Sequence, residues 1–167
     1  MTIAHQVKTL EKSAIFKEFI AAQPSYYLTT VFVSFEGGKR QWQIGYYSSK
    51  TDKMVSFSTE PLAMSDEQEA FKDQGPIHPL ELDHVKIELD EALGTCAAEC
   101  KKKYLAHPIT KQFIILQHLD SLVYNATFVT TTMNIINIKV DARDGTIVSS
   151  KVHPIIEFAR PDGKDIK

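Results

Sequence analysis

The spacing of apolar positions changes along the chain, and each change predicts an element. Over residues 7–22 (VKTLEKSAIFKEFIAA), Val7, Leu10 and Ala14 share one helical face and Ile15, Phe16, Phe19 and Ile20 widen it. This predicts one amphipathic helix, stopped by Pro24. The period then falls to two. YYLTTVFVSF (26–35), QWQIGYY (41–47) and KMVSFS (53–58) are rich in β-branched and aromatic residues and predict three strands. EGGK (36–39) is a hairpin turn, because glycine tolerates positive φ, and SSKTD turns the chain again. Residues 60–84 lose the pattern. They are acidic and hold Pro61, Pro76 and Pro79, so they form a connector, with a short helix after Ser65 on the capping-box spacing of Ser65 and Gln68. The helical period returns over 87–105, where Leu89, Ala92, Leu93, Cys96, Cys100 and Tyr104 line one face and Glu88 or Asp90 caps the start. Strands follow at 111–117, 122–131, 134–140 and 146–152. DARDG puts Gly145 where the last hairpin needs a left-handed residue. The polar tail, 159–167, is expected to fray.

Two stretches nearly repeat. MVSFSTEPL (54–62) laid on IVSSKVHPI (147–155) puts Met54 on Ile147, Val55 on Val148, Ser56 on Ser149 and Pro61 on Pro154. The elements around them recur in the same order: a helix, then a three-strand antiparallel meander. The expected fold is therefore α+β, with two related units. The first occupies residues 1–59, the acidic connector 60–84 and the second 85–167, with 111–117 as a strand that has no counterpart in the first unit.

Composition narrows the function. The 167 residues are 43 % hydrophobic and 24 % charged, an ordinary globular balance. A formal net charge of −2 argues against a nucleic-acid binder, which carries a basic bias. Residues 60–99 are acidic, opposed only by Lys72 and Lys86, and Lys101–Lys103 follow at the helix end, where they complement the helix dipole. No apolar run is long enough to span a membrane, and the N-terminal stretch lacks the apolar region of a signal peptide, so a cytoplasmic location is expected.

The second half resembles a PepSY-type domain. The resemblance rests on IELDEAL at the helix start, VYNATF as a strand led by an aromatic, and INIKVDARDGTIVSS as the closing hairpin. Ile87, Glu91, Ala92, Tyr124, Val140, Asp141, Ala142, Gly145 and Ile147 occupy the positions of that pattern, over roughly residues 85–152. Trp42, Tyr46, Thr51, Asp52 and Val55 outline a degenerate first copy. The resemblance implies a cystatin-like helix-on-sheet unit and a non-catalytic role, binding or inhibiting a partner.

Candidate chemistry is sparse. Cys96 and Cys100 lie four apart on the apolar helical stripe, without a C-x-x-C or a second ligand pair, which favours core packing over metal or redox chemistry. The six histidines never fall at H-x-x-x-H spacing, and Asp141 and Asp144 have the place of turn formers. The sequence contains no nucleophile elbow, phosphate loop, H-E-x-x-H or dinucleotide fingerprint. No catalytic, metal or cofactor residue is therefore assigned. The expected function is a non-enzymatic binding or regulatory module that recognises a protein or peptide, a second copy of itself included, through a sheet face or edge. The alternative is a small cone-shaped α+β enzyme or ligand carrier with a pocket between helix and sheet. Two long helices cannot cover six or more strands, and Trp42, Tyr46, Tyr124 and Asn125 are the strand residues expected to reach the uncovered face. Tyr124 and Asn125 are alternatives, since neighbours on a strand point opposite ways.

Overall fold

The computed structural model describes residues 2–70 and 75–157. The polar tail and Lys72 lie outside them. The fold is α+β: three helices packed on a single antiparallel sheet. Helices α1 (Ile3–Glu11) and α2 (Ala14–Ala22) precede strands β1 (Tyr27–Glu36), β2 (Lys39–Ser48), β3 (Lys53–Thr59), β4 (Leu62–Met64) and β5 (Gln68–Glu69). A 3-10 turn, Leu82–His84, leads to α3 (Leu89–Lys103), β6 (Ile109–His118), β7 (Leu122–Thr130), β8 (Asn134–Asp141) and β9 (Ile147–Pro154). In space the strands run β4-β3-β2-β1-β6-β7-β8-β9, and β5 also pairs with β3.

Strand 109–118, without a counterpart in the first half, joins the two halves. β6 pairs antiparallel with β1, from Thr30–Gln117 to Ser34–Phe113, and on its other side with β7. The two near-repeated segments are β3 and β9. They share a facing from Ser56 and Ser149 onward, while the bulge between Lys139 and Val140 turns Ile147 to the helix side, opposite to Met54. Ser56 and Ser149 point away from the helices, whereas Phe57 and Ser150 point toward them.

Alternation puts Val31, Val33, Ile44, Phe57, Ile114, Leu116, Ala126, Phe128, Ile136 and Ile138 on one face, buried under the helices. From α2, Phe16 and Phe19 meet Phe57 edge-on at 5.6 and 5.3 Å. From α3, Leu89, Ala92, Cys96 and Cys100 are buried, while Leu93 and Tyr104 pack against them partly exposed. Among the described residues no helix covers the other face, and Phe32, Phe113 and Ile115 there are half-buried.

The structure corrects two local expectations. The helix predicted over 7–22 is two helices, because Ser13 stops one and starts the next. Ser13 has extended backbone (ψ 152°), its Oγ accepts the Phe16 N–H at 3.3 Å, and its hydroxyl donates to the Leu10 carbonyl at 2.6 Å. Among the described residues 66–70, the expected short helix does not follow Ser65. Ser65 instead belongs to the β3 edge: its N–H donates to the Ser56 carbonyl at 2.8 Å and its Oγ accepts the Ser56 N–H at 3.0 Å. At the start of α3, Glu88 is the cap and Glu91 reaches back to it, a capping box.

Turn chemistry agrees with backbone geometry at the two hairpins that need it. Gly37 and Gly38 have φ of 55° and 78°, as a two-residue primed turn requires, and Gly145 has φ 79°. Gly45 has a different role. A Cβ there would lie 2.3 Å from Thr30 Oγ1, opposite the irregularity between Leu28 and Thr30. Gly45→Ala should therefore destabilise by about 1–3 kcal/mol, measured by urea unfolding, with a changed far-UV spectrum only if β1 and β2 lose register.

Candidate functional site

The nine residues of the PepSY-like pattern gather where β8 turns into β9 and α3 begins. The Ala142 carbonyl accepts the N–H groups of Lys86 (2.9 Å) and Ile87 (3.0 Å), and the Ala142 N–H donates to the Leu122 carbonyl at 3.0 Å. The Tyr124 hydroxyl, inside the core, donates to the Ile87 carbonyl at 2.6 Å. Burial first, then the nearby carboxylates of Glu88 and Glu91, raise its pKa well above the ordinary phenol value. Asp141 is held by Arg143, whose Nη2 and Nε donate at 2.7 and 3.1 Å, and by the Arg143 N–H at 2.8 Å. That hydrogen-bonded pairing lowers the Asp141 pKa despite its burial. The pattern thus builds a clasp between helix start and closing hairpin, and its polar atoms are spent on the fold.

This placement decides the fate of the predicted surface residues. Trp42, Tyr46 and Tyr124 are 6 %, 2 % and 0 % exposed. All three point toward the helices, so the expectation that they reach the uncovered face is corrected. Register is the reason. Trp42 pairs with Val33, Tyr46 with Leu28 and Val55, and Tyr124 with Leu116 and Val140, all helix-side positions. The Tyr46 hydroxyl ends on Glu11 of α1 at 3.2 Å, and burial, with Glu11 beside it, raises its pKa. Asn125 is the member of its pair that faces outward. Its Oδ1 accepts from Asn137 Nδ2 at 2.7 Å in the middle of the open face.

A feature that sequence reasoning did not single out is the contrast between the two sheet edges. The chain folds back on β3 as β4 and β5, and Lys53 pairs with Glu69 there. At the opposite margin β9 is eight residues long and, among the described residues, pairs only with β8. The Ile155 N–H donates to the Met133 carbonyl at 2.9 Å, which sets the phase of the ladder. Hydrogen-bonded pairs then fall at His153–Ile135, Lys151–Asn137 and Ser149–Lys139, so the backbone N–H and C=O of Ser150 and Val152 point outward. Pro154 takes the next outward position, where a residue without N–H is tolerated on an edge. Ile147, Val148 and Val152 are 37 %, 53 % and 38 % exposed along this strand. Beside it, a groove of about 410 Å³ is lined by Val123, Lys139, Val148, Ser149 and Lys151, and by Leu119, Asp120 and Ser121 of the β6–β7 turn.

Two other hollows bear on a ligand pocket. One of about 610 Å³ lies between α1 and residues 80–84, open and lined by charged side chains such as Lys8, Glu11 and Asp83. A smaller one of about 280 Å³ brings His84, His118, Asp120, Ser121 and Arg143 together. There His84 Nδ1 is 3.0 Å from Glu81, and the ring of His118 lies tilted against that of His78, their centres 5.0 Å apart. Among the described residues, no group of three His, Cys, Asp or Glu side chains is placed to hold a metal ion. Cys96 and Cys100 are free and buried, and burial pushes the Cys96 thiol up to about 12. Among the described residues, no helix is long and apolar enough to cross a membrane.

No family model and no curated protein matches the chain. Among solved structures, a candidate lipoprotein from Clostridium difficile 630 is similar, with a TM-score of 0.52 and 12 % identity over 83 % of this chain and 90 % of that one. At this identity the likeness is one of fold.

Tyr124→Phe should cost about 1–3 kcal/mol by urea unfolding, because it leaves the part-buried Ile87 carbonyl without its donor. Asp141 has a folded-state pKa below its unfolded value, so its contribution is present above about pH 4 and lost as pH falls through the folded value. Asp141→Asn should flatten the acid limb of a Tm-against-pH curve below about pH 4 and lower Tm at pH 7. Native Cys96 and Cys100 should react with a thiol reagent at pH 8 at least about tenfold more slowly than in denaturant, since neither thiolate nor access is available.

Proposed function

We propose that the chain is a non-enzymatic binding module of two tandem PepSY-like units, which takes a protein or peptide partner along the outer edge of β9. The single observation that carries this reading is the long, one-sided, partly apolar β9 in a sheet whose other margin is folded over by its own chain. Such an edge offers main-chain hydrogen bonds to an added strand, and exposed Val148 and Val152 beside them. The engagement of the pattern's polar side chains supports a non-catalytic role: buried Tyr124 and Asp141 hold the clasp, and exposed Glu91 closes the capping box. The near-repeat, with its facing shared from Ser56 and Ser149 onward, supports two units of common origin. The cytoplasm is the proposed compartment.

The alternative, a small enzyme or ligand carrier, draws support from the hollow around His84 and His118. It is the weaker reading, because the imidazoles there engage Glu81 and His78 rather than the Ser121 hydroxyl.

Val152→Pro tests the edge directly, since it removes an outward N–H while leaving the β8 ladder in place. Proteins captured from native extract by the wild-type chain should be lost from the Val152→Pro bait, with Tm lowered by only a few degrees. A captured set that is the same on both folded baits would overturn the assignment to β9.

A further inference from the structure

We infer that the segment accepted by β9 is an extended peptide in which apolar and acidic residues alternate. This inference rests on the edge-binding reading above and adds the chemistry of the ligand. Residues facing Ser150 and Val152 of β9 would form hydrogen-bonded pairs on the helix side, beside exposed Ile147 and Val152. Apolar side chains belong there. Residues facing Ser149 and Lys151 would form the closer, non-hydrogen-bonded pairs on the open side.

That open side is basic. Lys139 and Lys151 both line the groove along β9, and among the described residues neither is in an ion pair. Asp120, in the β6–β7 turn, is the carboxylate that also lines it. A glutamate opposite Lys151 therefore meets a free ammonium at cross-strand distance, and a lysine there meets two like charges. The opposite margin of the same sheet holds an internal example of the pairing. β5 lies antiparallel on β3 with Glu69 against Lys53.

The test uses end-blocked, fluorescently tagged octapeptides of alternating valine and glutamate, and of alternating valine and lysine. Anisotropy titration at low salt is combined with amide exchange at Ser150 and Val152. The Val–Glu peptide should bind at least about tenfold more tightly and slow exchange at both amides. The preference should shrink at high salt and reverse in Lys151→Glu, an exposed position whose replacement leaves the fold intact. Equal affinities for the two peptides, with both amides protected, would overturn the acidic preference and leave edge binding standing. Binding that leaves both amides unprotected, or no binding at millimolar peptide, would overturn both. Protection of the two amides that rises with protein concentration alone would overturn the peptide in favour of a second copy of the chain.

Discussion

The pairing of β1 with β6 is the contact on which the architecture depends. Five consecutive pairs, Thr30–Gln117 to Ser34–Phe113, connect a meander begun at residue 27 to one that ends at residue 154. The parity of that pairing matters more than its length. Because Val31 faces Leu116 and Val33 faces Ile114, the apolar sides of both halves coincide, and α1, α2 and α3 lie on one face over one core. A slip of one residue would turn the second half over and put α3 on the opposite side of the sheet. The buried faces of β1 and β6 hold that register: Val31, Val33, Ile114 and Leu116 are each 1 % exposed.

Periodicity made most of the elements legible. All seven long strands, the two hairpin turns with positive-φ glycines, and the apolar face of α3 follow from residue spacing, because each is a local pattern with a local cause. The break at Ser13 was not visible against an apolar stripe that continues through it. A single serine outweighed the periodicity by capping Phe16. The facing of Trp42, Tyr46 and Tyr124 was hidden for a different reason. In β1 both faces are apolar, so the phase of the neighbouring strands cannot be read from β1 alone. The clue lay in the polar partners. Ser56 and Ser58 in β3, and Asn125 and Asn137 in β7 and β8, mark the uncovered side and send Tyr46 and Tyr124 to the core.

The candidate site was less legible, since an edge is a property of the assembled sheet. Nothing in IVSSKVHP distinguishes an edge strand from an interior one except Pro154 and Lys151, both common on edges. What separates β9 from its near-copy β3 is the chain that follows each. After Pro61 it doubles back onto β3 through β4, and after Pro154 it enters a 3-10 turn, Ile155–Glu157. The two near-repeated segments thus have margins of different character: β3 is folded over by its own chain, and β9, among the described residues, pairs only with β8.

The central place of β6 also affects the order in which the molecule can be made. β1, β2 and β3 can form a meander as soon as residue 59 has left the ribosome, but the partner for the inner side of β1 begins only at Ile109. At about 5–20 residues per second, several seconds of synthesis separate the two. Throughout that interval Val31 and Val33 border an open hydrogen-bonding margin in the middle of the future sheet. Closing it requires a contact distant in sequence, the slow kind in folding. The nascent chain therefore passes through a stage whose hazard is mispairing at β1, an edge that the finished protein no longer has.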